Sequence, residues 1–419
     1  MNSRDTDRVQ DVVWWHLYPL GFVGAPQHAE PEVVHRLSRL HPWLDYAVDL
    51  GANGLLLGPI FASETHGYDT IDHFRIDPRL GDEDDFAALI DGAHRRGLRV
   101  ALDGVFNHVG RQFASFQAGQ ADWFHPDGGD YRTFEGHHQL VTLNHDNPAV
   151  VAYITEVMNH WLDRGADGWR LDAAYAVPTR LWARVLPQVR HRHPDAYVFG
   201  EVIHGDYARI VAKAGLDAVT QYELWKAIWS SLNEGNFFEL AWSLDRHNEF
   251  LESFVPVTFV GNHDVTRLAS QLADPRHVAL AVAILCTIGG TPTIYAGDEQ
   301  AWVGIKEDRP GGDDAIRPAF PDHPAGLGHS GWETFRLHQQ LIGLRHRHPW
   351  LHRARTRVLH LTNRQLAYET AAGDARLVVA LNIDDAPATV EVGAGMVGKG
   401  GSDAATVELA PHSWVVLGD

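Results

Sequence analysis

Apolar and polar positions along this chain alternate between two periods. Short runs rich in β-branched, aromatic and leucine residues recur at VVWWHLY (12–18), GLLLGPI (54–60), RVALDGVF (99–106), DGWRLD (167–172), YVFGEV (197–202), AVTQYEL (218–224), VPVTFV (255–260) and TPTIYA (291–296). Short apolar runs of this kind read as strand candidates. Between them, EVVHRLSRLHPWLDYAVDLG, DFAALIDGAHRRG and AVVAYITEVMNHWLDRG carry apolar residues at helical spacing and end in Gly. Gly is common just past a helix end. Eight strands alternating with helices predict an α/β fold, the (β/α)8 TIM barrel.

One interval is too long for a simple repeat. Asp103 and Asp172 are 69 positions apart, against 29 from Asp172 to Glu201. A βαβ unit takes roughly 30 residues. The excess predicts an insertion after the third strand, at 109–146, rich in Gly, His, Asp and aromatics and without clear periodicity. It is expected to overhang the mouth of the barrel. After the helical GWETFRLHQQLIGLRHRHPWL the pattern changes again. RVLHLT, QLAYET, RLVVALNI, ATVEVG, ATVELA and SWVVLG read as short antiparallel strands split by turn residues. The expected division is a barrel at 1–108 and 147–350, an inserted domain at 109–146, and a C-terminal antiparallel β-sandwich at 351–419.

Composition narrows the class of partner. The 419 residues include 14 Trp and 21 Pro, which argues against disorder. The formal net charge of −19 disfavours nucleic acid or an anionic membrane, both of which call for basic patches. Cys286 is the sole cysteine, so no internal disulfide is possible, and its apolar setting predicts a buried, inert thiol. The N-terminal MNSRDTDRVQDVVWW has no long apolar core and no small-residue cleavage site. No apolar run approaches the ~18–20 residues of a membrane span. Cytoplasm is the expected compartment.

Three carboxylates stand at predicted strand ends: Asp172 in GWRLDAA, Glu201 in FGEV and Asp264 in FVGNHD. In a parallel barrel that end carries the chemistry. Three acids there can supply a nucleophile, a general acid/base and a charge that steadies a cationic transition state. Arg170 lies two residues before Asp172, so on a strand both side chains share a face. A cation there keeps a carboxylate ionised; the bland alternative is a structural ion pair.

These motifs, in their order, resemble the α-amylase superfamily of glycoside hydrolases over nearly the whole chain. The resemblance includes HGYD (66–69), DGVFNH (103–108), TLNHDNP (142–148), GWRLDAA, GEV, FVGNHD and GTPTIYAGDE (290–299). It implies Asp172 as nucleophile, Glu201 as general acid/base and Asp264 as the third acid. It also implies substrate contacts from Tyr68, His108, Arg170 and His263, and from Asp313 and Arg317 in GGDDAIRPAF. Asp69 and Asp103 match positions that are mostly structural. In many α-amylases the residue at the position of Asn107 holds a structural calcium; with a short insertion, and only Asn144 and Asp146 as further candidates, no metal or other cofactor is expected to be required. The His-rich HRHP (191–194) and RHRHP (345–349) are read as exposed helix ends rather than zinc sites.

The stretch GEVIHGDYARIVAKAGLDAVTQYELWKAI looks most similar to the cyclomaltodextrinase and neopullulanase branch. The expected activity is retaining hydrolysis of short maltodextrins and cyclodextrins through a covalent glycosyl-enzyme, with transfer to other sugars open. The alternative is an exo-acting α-glucosidase or glucosyl-transferring enzyme of sucrose or isomaltose type. A non-catalytic α-amylase-like binding protein is the remote reading, since such relatives typically lose one of the acids. That branch often carries an N-terminal β-domain that completes a dimer; here the first barrel strand begins near Val12, so the oligomeric state is left open.

Overall fold

The computed structural model describes residues 11–28, 32–309, 311–393 and 406–418. The first ten residues, on which part of the N-terminal reading rests, lie outside the described residues, as does Ala405 at the edge of a predicted strand.

Eight strands make one sheet: β1 (Trp14–Leu17), β2 (Gly54–Leu57), β3 (Arg99–Gly104), β4 (Gly168–Leu171), β5 (Tyr197–Gly200), β6 (Ala218–Val219), β7 (Val257–Phe259) and β8 (Thr291–Tyr295). Their order is β6-β5-β4-β3-β2-β1-β8-β7, the cyclic succession of a TIM barrel. The registered pairs β2–β3, β3–β4, β4–β5, β5–β6 and β7–β8 are all parallel. Just past β6, the Gln221 backbone N–H donates to the carbonyl of Val257 on β7 at 2.9 Å.

By internal contacts the chain divides into two compact bodies. One is Trp15–Thr220 with Arg317–Leu327; the other is Met1–Trp14, Gln221–Ile316 and Gly328–Asp419.

In the first body, α1 (His41–Leu50), α2 (Glu83–His94) and α3 (Pro148–Asp163) follow the predicted periodicity, and α4 (Thr179–Arg192) and α5 (Tyr207–Ala214) join them. The expected helix before β2 is broken in two, with a 3-10 segment at Arg36–Leu40 before α1. Pro42, which lacks an N–H, sits in the first turn of α1, where that loss is harmless. Asp82 and Asp85 close a reciprocal capping box on α2. A hairpin that the apolar pattern did not reveal, Phe61–Ser63 with Thr70–Ile76, follows β2 and carries HGYD in its loop. The inserted segment 109–146 holds short strands, among them Thr133–Phe134 paired with His137–Thr142.

In the second body, α6 (Tyr222–Glu234), α7 (Phe237–Leu251), α8 (His277–Thr287) and α9 (Trp332–Arg347) accompany β7 and β8. The predicted sixth strand at 218–224 is shortened to two residues, because α6 starts at Tyr222. The Gln221 side chain accepts from the Leu224 N–H and caps that start. The C-terminal strands are β9 (Arg355–Leu361), β10 (Gln365–Ala372), β11 (Ala375–Asn382), β12 (Ala388–Glu391), β13 (Thr406–Leu409) and β14 (Ser413–Leu417). They form a sheet β9-β10-β11-β14 and a second pair β12-β13. Ala367, Val378 and Ala380 of the first pack on Val390, Val392 and Leu409, which makes a sandwich.

Arg345 departs from the expected exposed helix end. It is buried and donates to the carbonyls of Ile288 at 2.8 Å and Gly290 at 2.6 Å, just past the C-terminus of α8. Cys286 is buried, and burial pushes its thiol up to about 12. No described helix is long and apolar enough to cross a membrane.

Candidate active site

Asp172 and Glu201 are the first residues past β4 and β5, which are adjacent, so their backbones leave the sheet side by side. The Asp172 N–H binds the Gly104 carbonyl and the Glu201 N–H binds that of Leu171. Both carboxylates are buried. One guanidinium touches both of them. Arg170 Nη1 lies 3.3 Å from Asp172 Oδ1, and Nη2 lies 2.8 Å from Glu201 Oε1. Nη1 also meets Asp103 Oδ2 at 2.6 Å, as the register requires, since Arg170 and Asp103 face each other across β4 and β3. Burial alone would lower the Arg170 pKa, but Asp103, Glu201, Tyr68 and Asp172 outweigh it and raise it well above the usual value.

The residue after Asp172 carries backbone strain. Ala173 sits at φ 45°, in the left-handed region that costs an L-residue roughly 1–2 kcal/mol. That conformation aims its N–H at Glu201 Oε2, 3.0 Å away. Glu201 is therefore held at both oxygens, by Arg170 and by Ala173.

Tyr68 and Arg317 flank this cluster. The Tyr68 hydroxyl donates to Asp103 Oδ2 at 3.1 Å. The Arg317 guanidinium stands 4.7 Å from the ring centre of Tyr18 and 6.0 Å from that of Tyr68. His108 differs from its expected role. Its Nε2 lies 3.0 Å from the Tyr68 carbonyl and its Nδ1 3.1 Å from the Asn107 amide. With burial holding its pKa down to about 3, it is a neutral ring that fixes Tyr68, and neither nitrogen is free for a sugar hydroxyl. Asp69 is buried and accepts from the Thr65 hydroxyl.

Sequence reasoning missed three neighbours. Phe134 stacks on His108, with ring centres 4.6 Å apart and planes at 16°. Glu135 follows at φ 50° and Gly136 at φ 80°, the two left-handed residues of a tight hairpin turn. Its carboxylate accepts from the Tyr175 hydroxyl at 2.7 Å, and Tyr175 lies three residues past Asp172. The signal available was the Glu-Gly pair at the hairpin tip.

In the second body His263 and Asp264 follow β7. His263 Nε2 meets Asp264 Oδ2 at 2.9 Å, and His263 is buried while Asp264 is partly exposed. The Asp264 N–H is held by Asn262 Oδ1, and the Asn262 amide donates to the Tyr222 hydroxyl at 2.8 Å. Asp313 faces Lys306 at 3.6 Å.

The family model for the α-amylase catalytic domain matches residues 37–129 and 118–327. A cyclomaltodextrinase from a Bacillus species is 31% identical over 93% of this chain and 75% of its own length. The chain belongs to the α-amylase family. Neopullulanase 2 of Thermoactinomyces vulgaris is 32% identical over 76% of this chain and 57% of its own length. Among solved structures, a cyclic α-maltosyl-(1→6)-maltose hydrolase from Arthrobacter globiformis, in complex with that cyclic sugar, superposes with a TM-score of 0.84 at 26% identity. It covers 98% of this chain and 99% of its own. A debranching enzyme from Nostoc punctiforme gives a TM-score of 0.82 at 26% identity, over 99% of each chain.

The three side chains weighed for a calcium each have a protein partner. Asn107 gives its amide nitrogen to His108. Asn144 donates to the Asp122 carbonyl and accepts from the Asp146 N–H. Both Asp146 oxygens are taken by the Arg180 fork, at 2.7 and 2.8 Å. Calcium requires about 6–8 oxygen ligands, and these three side chains offer four between them.

Proposed function

We propose that this α-amylase family member is a retaining hydrolase of short α-glucans, cyclic ones included. The observation that carries the reading is the single Arg170 guanidinium spanning Asp172 and Glu201 at the ends of adjacent strands. A retaining glycosidase places its two carboxyl groups ~5–5.5 Å apart, and a shared guanidinium is suited to that spacing.

In the proposed reaction, Asp172 attacks the anomeric carbon while Glu201 protonates the leaving oxygen. The C–O bond breaks and a glycosyl ester forms on Asp172. Glu201, now a carboxylate, takes a proton from water, which attacks the same carbon and releases Asp172. A sugar hydroxyl in place of water gives transfer. Asp264, oriented by His263, is assigned to the hydroxyls of the distorted sugar; Tyr68, Arg170, His263, Asp313 and Arg317 are assigned to substrate placement. No metal takes part in these steps.

The substrate class rests on relatives named for cyclomaltodextrins, pullulan and a cyclic maltosyl-maltose. A cytoplasmic setting is part of the proposal. It is supported by a Bacillus subtilis relative named an intracellular maltogenic amylase, 30% identical over 70% of this chain. The test is product analysis on maltotriose, β-cyclodextrin, pullulan, cyclic maltosyl-maltose, isomaltose and sucrose. Ring opening with maltose among the products is expected. Turnover confined to sucrose or isomaltose would replace this reading with an exo-glucosidase; no turnover of any would overturn it.

A further inference from the structure

A second constellation lies in the second body, within that body's own residues, where the first turn of α8 meets the turn before β14. Asp274 precedes α8, His277 opens it, and His412 precedes β14. His277 Nε2 lies 3.0 Å from His412 Nδ1, and His412 Nδ1 lies 3.8 Å from Asp274 Oδ2. All three ligand atoms fall within 4.8 Å of one another. His412 stands at φ 46°, a left-handed conformation that a non-glycine residue adopts at a cost. Its other nitrogen, Nε2, lies 2.8 Å from Asp385 Oδ1.

We propose that Asp274, His277 and His412 form a binding site for a divalent transition cation of the zinc class, with Asp385 as the outer partner of His412. Two imidazole nitrogens and one carboxylate oxygen suit zinc, cobalt or nickel, and are poor in the oxygens that calcium or magnesium requires. At Zn–N distances of 2.0–2.1 Å, tetrahedral nitrogens stand about 3.3 Å apart. The two imidazoles therefore need to part by only a few tenths of an ångström. The Asp385 carboxylate fixes the hydrogen of His412 on Nε2 and leaves a lone pair on Nδ1, the carboxylate–histidine arrangement that accompanies metal-bound imidazoles. Arg276 holds both Asp274 oxygens through Nε and Nη2 and lies 3.8 Å from Asp385, so the cation has to share Asp274 Oδ2 with that guanidinium or displace it. Three protein ligands leave a fourth position for water.

The bound ion would join α8 to the C-terminal sandwich, so its effect is on stability rather than on hydrolysis. The experiment uses the full chain, stripped with chelator and dialysed. Zinc uptake is measured by equilibrium dialysis against wild type, His412→Gln and Asp274→Asn, with cobalt(II) as the spectroscopic probe. Expected are one zinc per wild-type chain, a raised Tm, and a visible cobalt ligand-field band of tetrahedral intensity. Each variant, checked as folded by circular dichroism, should bind at least about tenfold more weakly and lose the band. Asp385→Asn, which keeps all three ligands, should weaken binding about tenfold and retain the band. Equal zinc uptake by wild type and His412→Gln would mean that other histidines hold the metal, and would overturn the site. Absence of the cobalt band from wild type would do the same.

Discussion

Arg170 is the residue through which most of the proposed site is connected. It is buried and its two terminal nitrogens reach Asp103, Asp172 and Glu201. A lysine offers one compact ammonium in place of this planar fork. Arg170→Lys is therefore expected to keep the fold but lose the simultaneous hold on both acids, lowering kcat about 100-fold or more with a smaller change in KM. Steady-state kinetics on maltotriose, with circular dichroism as the fold control, checks this; a loss that falls wholly on KM would contradict it. Much at this scale was legible in the sequence. Asp172, Glu201 and Arg170 sit where an apolar strand pattern ends, and strand alternation alone puts Arg170 and Asp172 on one face. What could not be read was the company they keep. The double anchoring of Glu201 depends on the left-handed backbone at Ala173, and the His108 Nε2 contact is to Tyr68, 40 residues away in the chain.

Among elements, the hairpin Thr133–Phe134 and His137–Thr142 does most to shape the site's surroundings. Its turn carries Glu135 and Gly136 at positive φ and brings Phe134 over His108 and Glu135 to Tyr175. The insertion was legible only as an interval too long for a βαβ unit. Its strands are two to six residues long, too short to leave a periodicity. The sixth barrel strand was over-read for a related reason. TQYEL alternates like a strand, but the Gln221 side chain caps a helix at Tyr222. Tyr175→Phe removes the hydroxyl that holds the hairpin tip. A hydrogen bond to a charged group contributes about 1.5 kcal/mol, roughly tenfold in affinity. The expected outcome is a KM for β-cyclodextrin raised about three- to tenfold with kcat within about threefold. A fall in kcat at unchanged KM would assign Tyr175 to the chemistry instead.

At the scale of the molecule, buried neutral histidines govern the response to acid. Burial pushes His73, His145, His247 and His338 down to about 4, and His108 and His352 down to about 3. In the unfolded chain each titrates near 6.5, so below that pH the unfolded state binds more protons than the native one. Stability is fully present above pH ~6.5 and falls towards pH ~4, by up to about 1.4 kcal/mol per pH unit for each histidine. Asp298 acts with the opposite sign, since burial raises its pKa to about 6, but it is one group against six. Urea midpoints should fall steeply between pH ~7 and ~5; a flat profile across that range would contradict this assignment. The sequence displays 27 histidines but not which of them are buried.

In the proposed reaction Asp172 carries the glycosyl group between two displacements managed by Glu201. Glu201→Gln with α-maltosyl fluoride tests it most directly. Fluoride leaves without needing the acid, while the second displacement lacks its base, so the ester accumulates. Intact mass spectrometry should show one added maltosyl unit, and peptide mapping should place it on Asp172, with no adduct in Asp172→Ala/Glu201→Gln. An adduct on another residue, or none in Glu201→Gln while fluoride is still released, would rule out Asp172 as the nucleophile.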